Sequence, residues 1–277
     1  MCVHVCDLCY KCVCEVQLQS YSQSAPSIFS LVFTSVLPTL NTLEDCAQGL
    51  AADMYFLVDS SWSMGQENFE HVRHFLYTLI QSLHQVGGER FKFALVQYNS
   101  RPNTEFQLNS YSTIQGVLAH IKAMSYRGGG TRTGLGLDFL IRTHLTASSG
   151  SRAADGAIQV VLVLTDGRSQ DDVAEPAQVL RITGVEVFAV GVQDAVDWEL
   201  REMASHPHNT HVFSVDTFPA LQSIIQDLVV GLCDAVTQSG GFPILNTLCP
   251  LFLSLEVYTP SMLQSLNIKS CSVSLFP

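Results

Sequence analysis

The chain has 277 residues, 47% of them hydrophobic and only 14% charged, with 25 acidic against 14 Lys and Arg side chains and a formal net charge of −11. That length holds one medium domain with tails rather than two full cores. The acidity argues against nucleic acid as a partner, because phosphates need a basic face; a solvated acidic surface accounts for it.

Residues 1–45 show no useful helical or strand periodicity and read as a leader without stable structure. From Asp53 onward strand and helix patterns alternate, which predicts a mostly parallel sheet covered on both faces. A first buried strand spans Met54–Val58. A helix follows over Glu67–His84, with Phe69, Val72, Phe75, Leu76, Leu79, Ile80 and Leu83 on one face. Phe91–Tyr98 is a second buried strand and Thr104–Leu108 alternates like an exposed edge strand. Helices are expected over Ser112–Met124 and Thr133–Leu145, a loop at 148–152, and a central strand over Gln159–Leu164. A helix over Val173–Thr183 leads to the strand Val185–Val192. A short helix at Trp198–Ser205, a strand at Val212–Val215 and a closing helix at Ala220–Cys233 complete the pattern. Residues 234–277 form an apolar tail with no sustained period and no role that the sequence assigns.

Two of the buried strands end in an acid. Met54-Tyr-Phe-Leu-Val58 runs into Asp59-Ser60-Ser61-Trp62-Ser63, and Val160-Val-Leu-Val-Leu-Thr165 runs into Asp166-Gly167. Between them lies the glycine-rich turn Gly128-Gly-Gly-Thr-Arg-Thr-Gly134. In an open α/β sheet, ligands bind beyond the carboxyl ends of the strands where strand order reverses. Carboxylates and hydroxyls gathered there are hard oxygen ligands, suited to Mg²⁺ or Mn²⁺ rather than zinc. Each piece alone has a plainer reading, as a helix cap, a flexible loop or a strand-ending turn; the three in this order point to a metal site.

With these motifs the sequence resembles the von Willebrand factor type A domains, over about residues 51–232. The resemblance implies a Rossmann-like doubly wound sheet, mostly parallel with one antiparallel edge strand, and a metal-ion-dependent adhesion site. Its ligands would be Asp59, Ser61, Ser63, Thr131 and Asp166. Thr131 is assigned rather than Thr133 because it directly follows the glycine run, as the family's ligand does. Mg²⁺ is the implied ion, with Mn²⁺ or Ca²⁺ as substitutes. The segments F-A-L-V-Q-Y-N-S (93–100), N-T-E-F-Q-L (103–108), Y-R-G-G-G-T-R-T-G (126–134) and T-D-G-R-S-Q-D (165–171) resemble the collagen branch, type VI collagen above all. No Gly-X-Y run is present, so the chain itself forms no collagen triple helix. That is expected of a single module, a fragment or the product of a truncated locus.

The implied activity is adhesion: a protein ligand, collagen or another matrix protein, offers an Asp or Glu carboxylate to the ion. Trp62, Met64, Arg132 and Arg168 would supply the surrounding contact surface. The Asp59 carboxylate is expected to face the rim, so that its removal abolishes binding with little effect on folding.

The nine cysteines fall into three groups. Cys46 and Cys233 flank the expected domain (46–233), whose termini should lie close together, and paired termini also resemble extracellular A domains. Two free thiols in a reducing compartment are the alternative. Cys2, Cys6, Cys9, Cys12 and Cys14 crowd the leader with two C-x-x-C spacings, but lack the folded segment between knuckles that a zinc site needs. Cys249 and Cys271 have no evident mates. The resemblance implies the extracellular matrix, yet the leader lacks a secretory pattern, which leaves an intracellular location open. The apolar stretches at 28–37 and 242–255 are too short or too broken by proline to span a membrane.

Enzymatic signatures are missing. The glycine run lacks the Lys-Ser/Thr of a phosphate loop, and no Gly-x-Ser-x-Gly or His-Glu-x-x-His motif occurs. His206, His208 and His211 read as a polar loop before the last strand. The chain is therefore read as non-enzymatic. The alternatives are an intracellular interaction scaffold, an inactive truncated product, and a hydrolase using an ion between Asp59 and Asp166.

Overall fold

The computed structural model describes Cys46 and residues 50–239. The expectations for the leader before Cys46, for the N-terminal cysteines, and for Cys249, Cys271 and the end of the tail lie outside those residues. Six strands form one sheet in the order β3-β2-β1-β4-β5-β6. They are β1 (Ala52–Asp59), β2 (Phe91–Tyr98), β3 (Pro102–Phe106), β4 (Ile158–Thr165), β5 (Glu186–Val192) and β6 (Val212–Val215). All neighbours pair in parallel except β3, which runs antiparallel to β2 at the edge.

β1 is buried along its whole length, so its side chains supply both faces of the core in alternation. Met54, Phe56 and Val58 join one apolar cluster, while Tyr55 and Leu57 join the other. The first cluster is closed by α1 (Gly65–Gly87), α2 (Ile114–Ala123) and α7 (Ile225–Ser239), through Phe69, Leu76, Ile121, Leu228 and Leu232. The second is closed by α3 (Thr133–Phe139), α4 (Ala174–Ile182) and α5 (Asp197–Met203), through Leu137, Ala177, Leu180, Leu200 and Met203. A one-turn α6 (His208–His211) leads into β6. The apolar face expected for α1 is buried at all seven positions.

Three elements differ from the sequence reading. The edge strand begins at Pro102 and ends at Phe106, and its pairing with β2 is interrupted by a bulge at Leu95/Val96. Proline is tolerated there because an edge strand can present a position with no N–H to bond. The helix from Thr133 is α-helical only to Phe139, then widens into a π-turn over Leu140–His144 that buries His144 completely. The boundary placed at Cys233 falls inside α7, which continues to Ser239 and buries Val236. Among the described residues, Phe218–Thr237 is the one helical segment long and apolar enough to cross a membrane. Its buried face, including Phe218, Leu221, Leu228, Leu232 and Val236, belongs to the core.

At the amino edge of the sheet, Cys46 and Cys233 are joined by a disulfide with Cα atoms 5.3 Å apart and a sequence separation of 187. A bridge closing so long a loop contributes about 2–4 kcal/mol by restricting the unfolded chain. The Cys46 carbonyl accepts a hydrogen bond from Arg90 at 3.0 Å. Nearby, the fully buried carboxylate of Asp53 is held by Arg152, through its backbone N–H at 2.6 Å and its Nε at 2.7 Å, and by Gln159 Nε2 at 3.0 Å.

Candidate metal centre

β1 and β4 are adjacent and parallel, with Val58 opposite Leu164. Asp59 and Asp166 therefore emerge at the same carboxyl edge, where the chain order leaves β1 in opposite directions. The Asp59 carboxylate accepts the Ser61 N–H at 2.7 Å, which turns the loop sharply. Ser60 ties that loop to β2 by donating from N (2.8 Å) and Oγ (3.1 Å) to the Tyr98 carbonyl. The turn brings Ser61 Oγ and Ser63 Oγ to 2.9 Å from each other, and to 3.4 and 3.0 Å from Asp166 Oδ1. On the other side, Asp59 Oδ2 accepts from Thr165 Oγ1 at 3.0 Å and from Tyr98 Oη at 3.4 Å.

The glycine-rich loop is fastened over this cluster. Trp62 N–H donates to the Gly129 carbonyl (2.9 Å), Asn99 Nδ2 to the Gly128 carbonyl (2.6 Å) and Arg132 N–H to the Asn99 carbonyl (3.1 Å). Gly128 and Gly129 have φ of 68° and 126°, a region that favours glycine, and a Cβ on Gly128 would lie 2.4 Å from the Trp62 indole nitrogen. The Thr133 hydroxyl is committed to Tyr98 Oη at 3.0 Å, and Thr133 is 1% exposed. Thr131 is buried nearby, and its carbonyl accepts the Gln170 N–H at 2.7 Å. The sequence reading missed Tyr98, Thr165 and Asn99. Tyr98 and Asn99 stand where β2 ends beside the strand of Asp59, and their signals are the buried β2 run and the family-like segment 93–100 that contains them.

Asp59 is fully buried, contrary to the expectation that it faces the rim: the short turn to Ser61 and the contact with Thr165 hold it beneath the loops. Burial, and next the negative charge of Asp166, push its carboxyl up to about 6. Burial also raises Asp166, against the hydrogen bonds of Ser63 and Ser61 that favour its ionised form. No basic side chain contributes to either shift. Two buried acids and two hydroxyls without a neutralising side chain form an all-oxygen donor set that a hard divalent cation fits. Among the described residues no group of three or more His, Cys, Asp and Glu could hold a metal, so a cation held here would need the hydroxyls as ligands beside the two acids. The His206 and His208 rings stack at 4.0 Å, while His211 bonds the Pro207 carbonyl (3.0 Å) and lies 3.4 Å from Glu186.

The expected contact surface is only partly present. Trp62 is 78% exposed, and Arg132 and Arg168 are exposed, Arg168 lying over the Trp198 ring at 5.5 Å. Met64 is fully buried in the core cluster with Phe69. It stands at the entry to α1, where its side chain descends into the core, so it contributes packing and no contact surface.

The von Willebrand factor type A domain model matches residues 53–227, and the chain belongs to that family. Its relatives are matrix proteins. It is 36% identical over 197 residues to the collagen alpha-1(XII) chain of Notophthalmus viridescens, covering 71% of this chain and 21% of that one. Identity to the collagen alpha-4(VI) chain of Mus musculus is 37%, covering 71% and 8%, and to matrilin-1 of Mus musculus 35%, covering 98% and 53%. The chain thus spans about half of matrilin-1 and 21% and 8% of these collagens, and matrilin-1 widens the likeness beyond the collagen branch. Among solved structures it is similar to proximal thread matrix protein 1 of the mussel byssus, at 28% identity and a TM-score of 0.61 over 67% of this chain and 48% of that one. A further structure of that protein has zinc in its metal-ion-dependent adhesion motif.

Proposed function

We propose that the chain is a non-enzymatic adhesion module of the extracellular matrix, binding a protein ligand through Mg²⁺ held by Asp59, Ser61, Ser63, Thr131 and Asp166. The observation that carries this reading is the pair of buried acids at one sheet edge, joined by hydroxyls and lacking a basic partner. Those residues would hold the ion, and its Lewis acidity would receive an Asp or Glu carboxylate of the partner. The hydroxyls of Ser61, Ser63 and Thr131 add no charge, so only Asp59 and Asp166 offset the cation. Trp62, Arg132 and Arg168 form the exposed rim that the partner touches. The matrix proteins among the relatives support an extracellular setting, as does the disulfide. The test is binding to immobilised collagens and other matrix proteins in Mg²⁺ and in EDTA. Binding is expected to vanish on chelation and return with Mg²⁺; attachment that survives both EDTA and Asp59→Ala means that another face is used.

Protons compete with the ion for the same oxygens. With Asp59 raised to about 6 and Asp166 raised as well, both must ionise to receive a cation. The Mg²⁺-induced rise in Tm is therefore expected to be full at pH 7.5 and to fade as pH falls through about 6. A rise that stays constant to pH 5 would place the ion elsewhere.

A further inference from the structure

The first turn of α3 follows directly on Thr131, yet its own N-cap residue, Arg132, makes no side-chain cap and has no acceptor to offer. The free N–H groups of that turn are met from a different loop. Asp171 Oδ1 accepts Gly134 N–H at 2.9 Å and Asp171 Oδ2 accepts Leu135 N–H at 3.0 Å. Ser169 Oγ accepts Thr133 N–H at 3.1 Å and donates to Asp171 Oδ1 at 2.7 Å. Between these, Gln170 N–H donates to the Thr131 carbonyl at 2.7 Å. Ser169 N–H is anchored in turn on Glu199 Oε2 at 2.8 Å. The approach is close: a Cβ on Gly134 would lie 1.9 Å from the Asp172 carbonyl oxygen.

Four of these bonds, to Gly134, Leu135 and Thr133 N–H and to the Thr131 carbonyl, join Thr131 and the helix start after it to the loop that begins at Asp166. We propose that Asp171 is a positioning residue: its carboxylate clamps the two loops together before any ion arrives, fixing Thr131 relative to Asp166. This rests on the metal-site reading above for its consequence, but the clamp itself can be measured without metal. A carboxylate bridging two N–H groups at a helix start is the strong form of such a bond, being ionised and aligned with the helix dipole.

The experiment compares the full chain with Asp171→Ala, Asp171→Asn and Thr113→Ala. Thr113 caps α2 away from the centre, its Oγ1 accepting Gly116 N–H at 3.4 Å, and serves as a cap-loss control. In EDTA, amide exchange at Gly134, Leu135 and Gln170 is expected to be about tenfold faster in Asp171→Ala and unchanged in Thr113→Ala. By calorimetric titration with Mg²⁺, Asp171→Ala is expected to bind roughly 10-fold or more weakly, the range for a residue orienting metal ligands. Asp171→Asn, which keeps one acceptor oxygen, should recover part of both, and Thr113→Ala should bind as wild type. Unchanged exchange at Gln170 in Asp171→Ala overturns the clamp, as does Mg²⁺ affinity within twofold of wild type. Wild-type protein that takes up no Mg²⁺ overturns the metal reading instead, and the exchange data still decide whether the clamp exists.

Discussion

Asp59→Asn is expected to abolish Mg²⁺ binding and, in the same protein, to stabilise the ion-free fold. The carboxylate is buried and its carboxyl is raised from 3.8 to about 6. A group raised in this way favours folding in its protonated form. That contribution is complete below the unfolded value and is lost as pH rises through about 6. At pH 7 the ionised group therefore carries a penalty on the order of 3 kcal/mol, which the ion-free protein bears unrelieved. Asparagine removes the charge and keeps one oxygen to accept the Ser61 N–H. In EDTA at pH 7 the variant should melt above wild type; in Mg²⁺ the order should reverse, because only wild type gains the ion. A lower Tm than wild type in EDTA would mean that the hydrogen bonds of Asp59 outweigh its desolvation.

Arg152→Ala is expected to destabilise the fold by about 3 kcal/mol, the lower part of the range for breaking a buried ion pair from one side. Its guanidinium reaches Asp53 and also the carbonyls of Ala52 and Arg90, both at 2.8 Å. Removing it strands a fully buried carboxylate, although the Arg152 backbone N–H and Gln159 still reach that group. Urea titration measures the loss. The exposed pair Arg201–Asp197 is the contrast, since solvent screens it and Arg201→Ala should leave stability almost unchanged. Equal effects from the two variants would show that Asp53 needs no cationic partner.

The strands were legible because burial on both faces leaves an apolar run with a polar stop at each end. α1 was legible because one buried stripe repeats at helical spacing. Asp59 and Asp166 were legible as acids at strand ends, where sheet topology gathers side chains. What escaped the reading depends on contacts distant in sequence. Asp53 meets Arg152 across 99 positions and Gln159 across 106. Asp171 caps a helix 37 positions earlier, whereas capping rules look only at the residue next to the helix. Met64 was misread as surface because a motif gives the order of side chains but not which way a turn sends them. The burial of Asp59 was missed for the same reason.

The disulfide also decides how the domain responds to pulling. In its oxidised form the chain enters at Cys46 and leaves at Cys233 through a covalent bond, with Asp59 and Asp166 at the far edge of the sheet. Tension along the polypeptide then passes from one sulfur to the other and leaves the intervening residues slack. Without the bond, those 187 residues could pay out as roughly 600 Å of extended chain. With it, a chain under tension would present the same rim of Trp62 and arginines as a relaxed one, and strain would reach that edge of the sheet only through a molecule bound there.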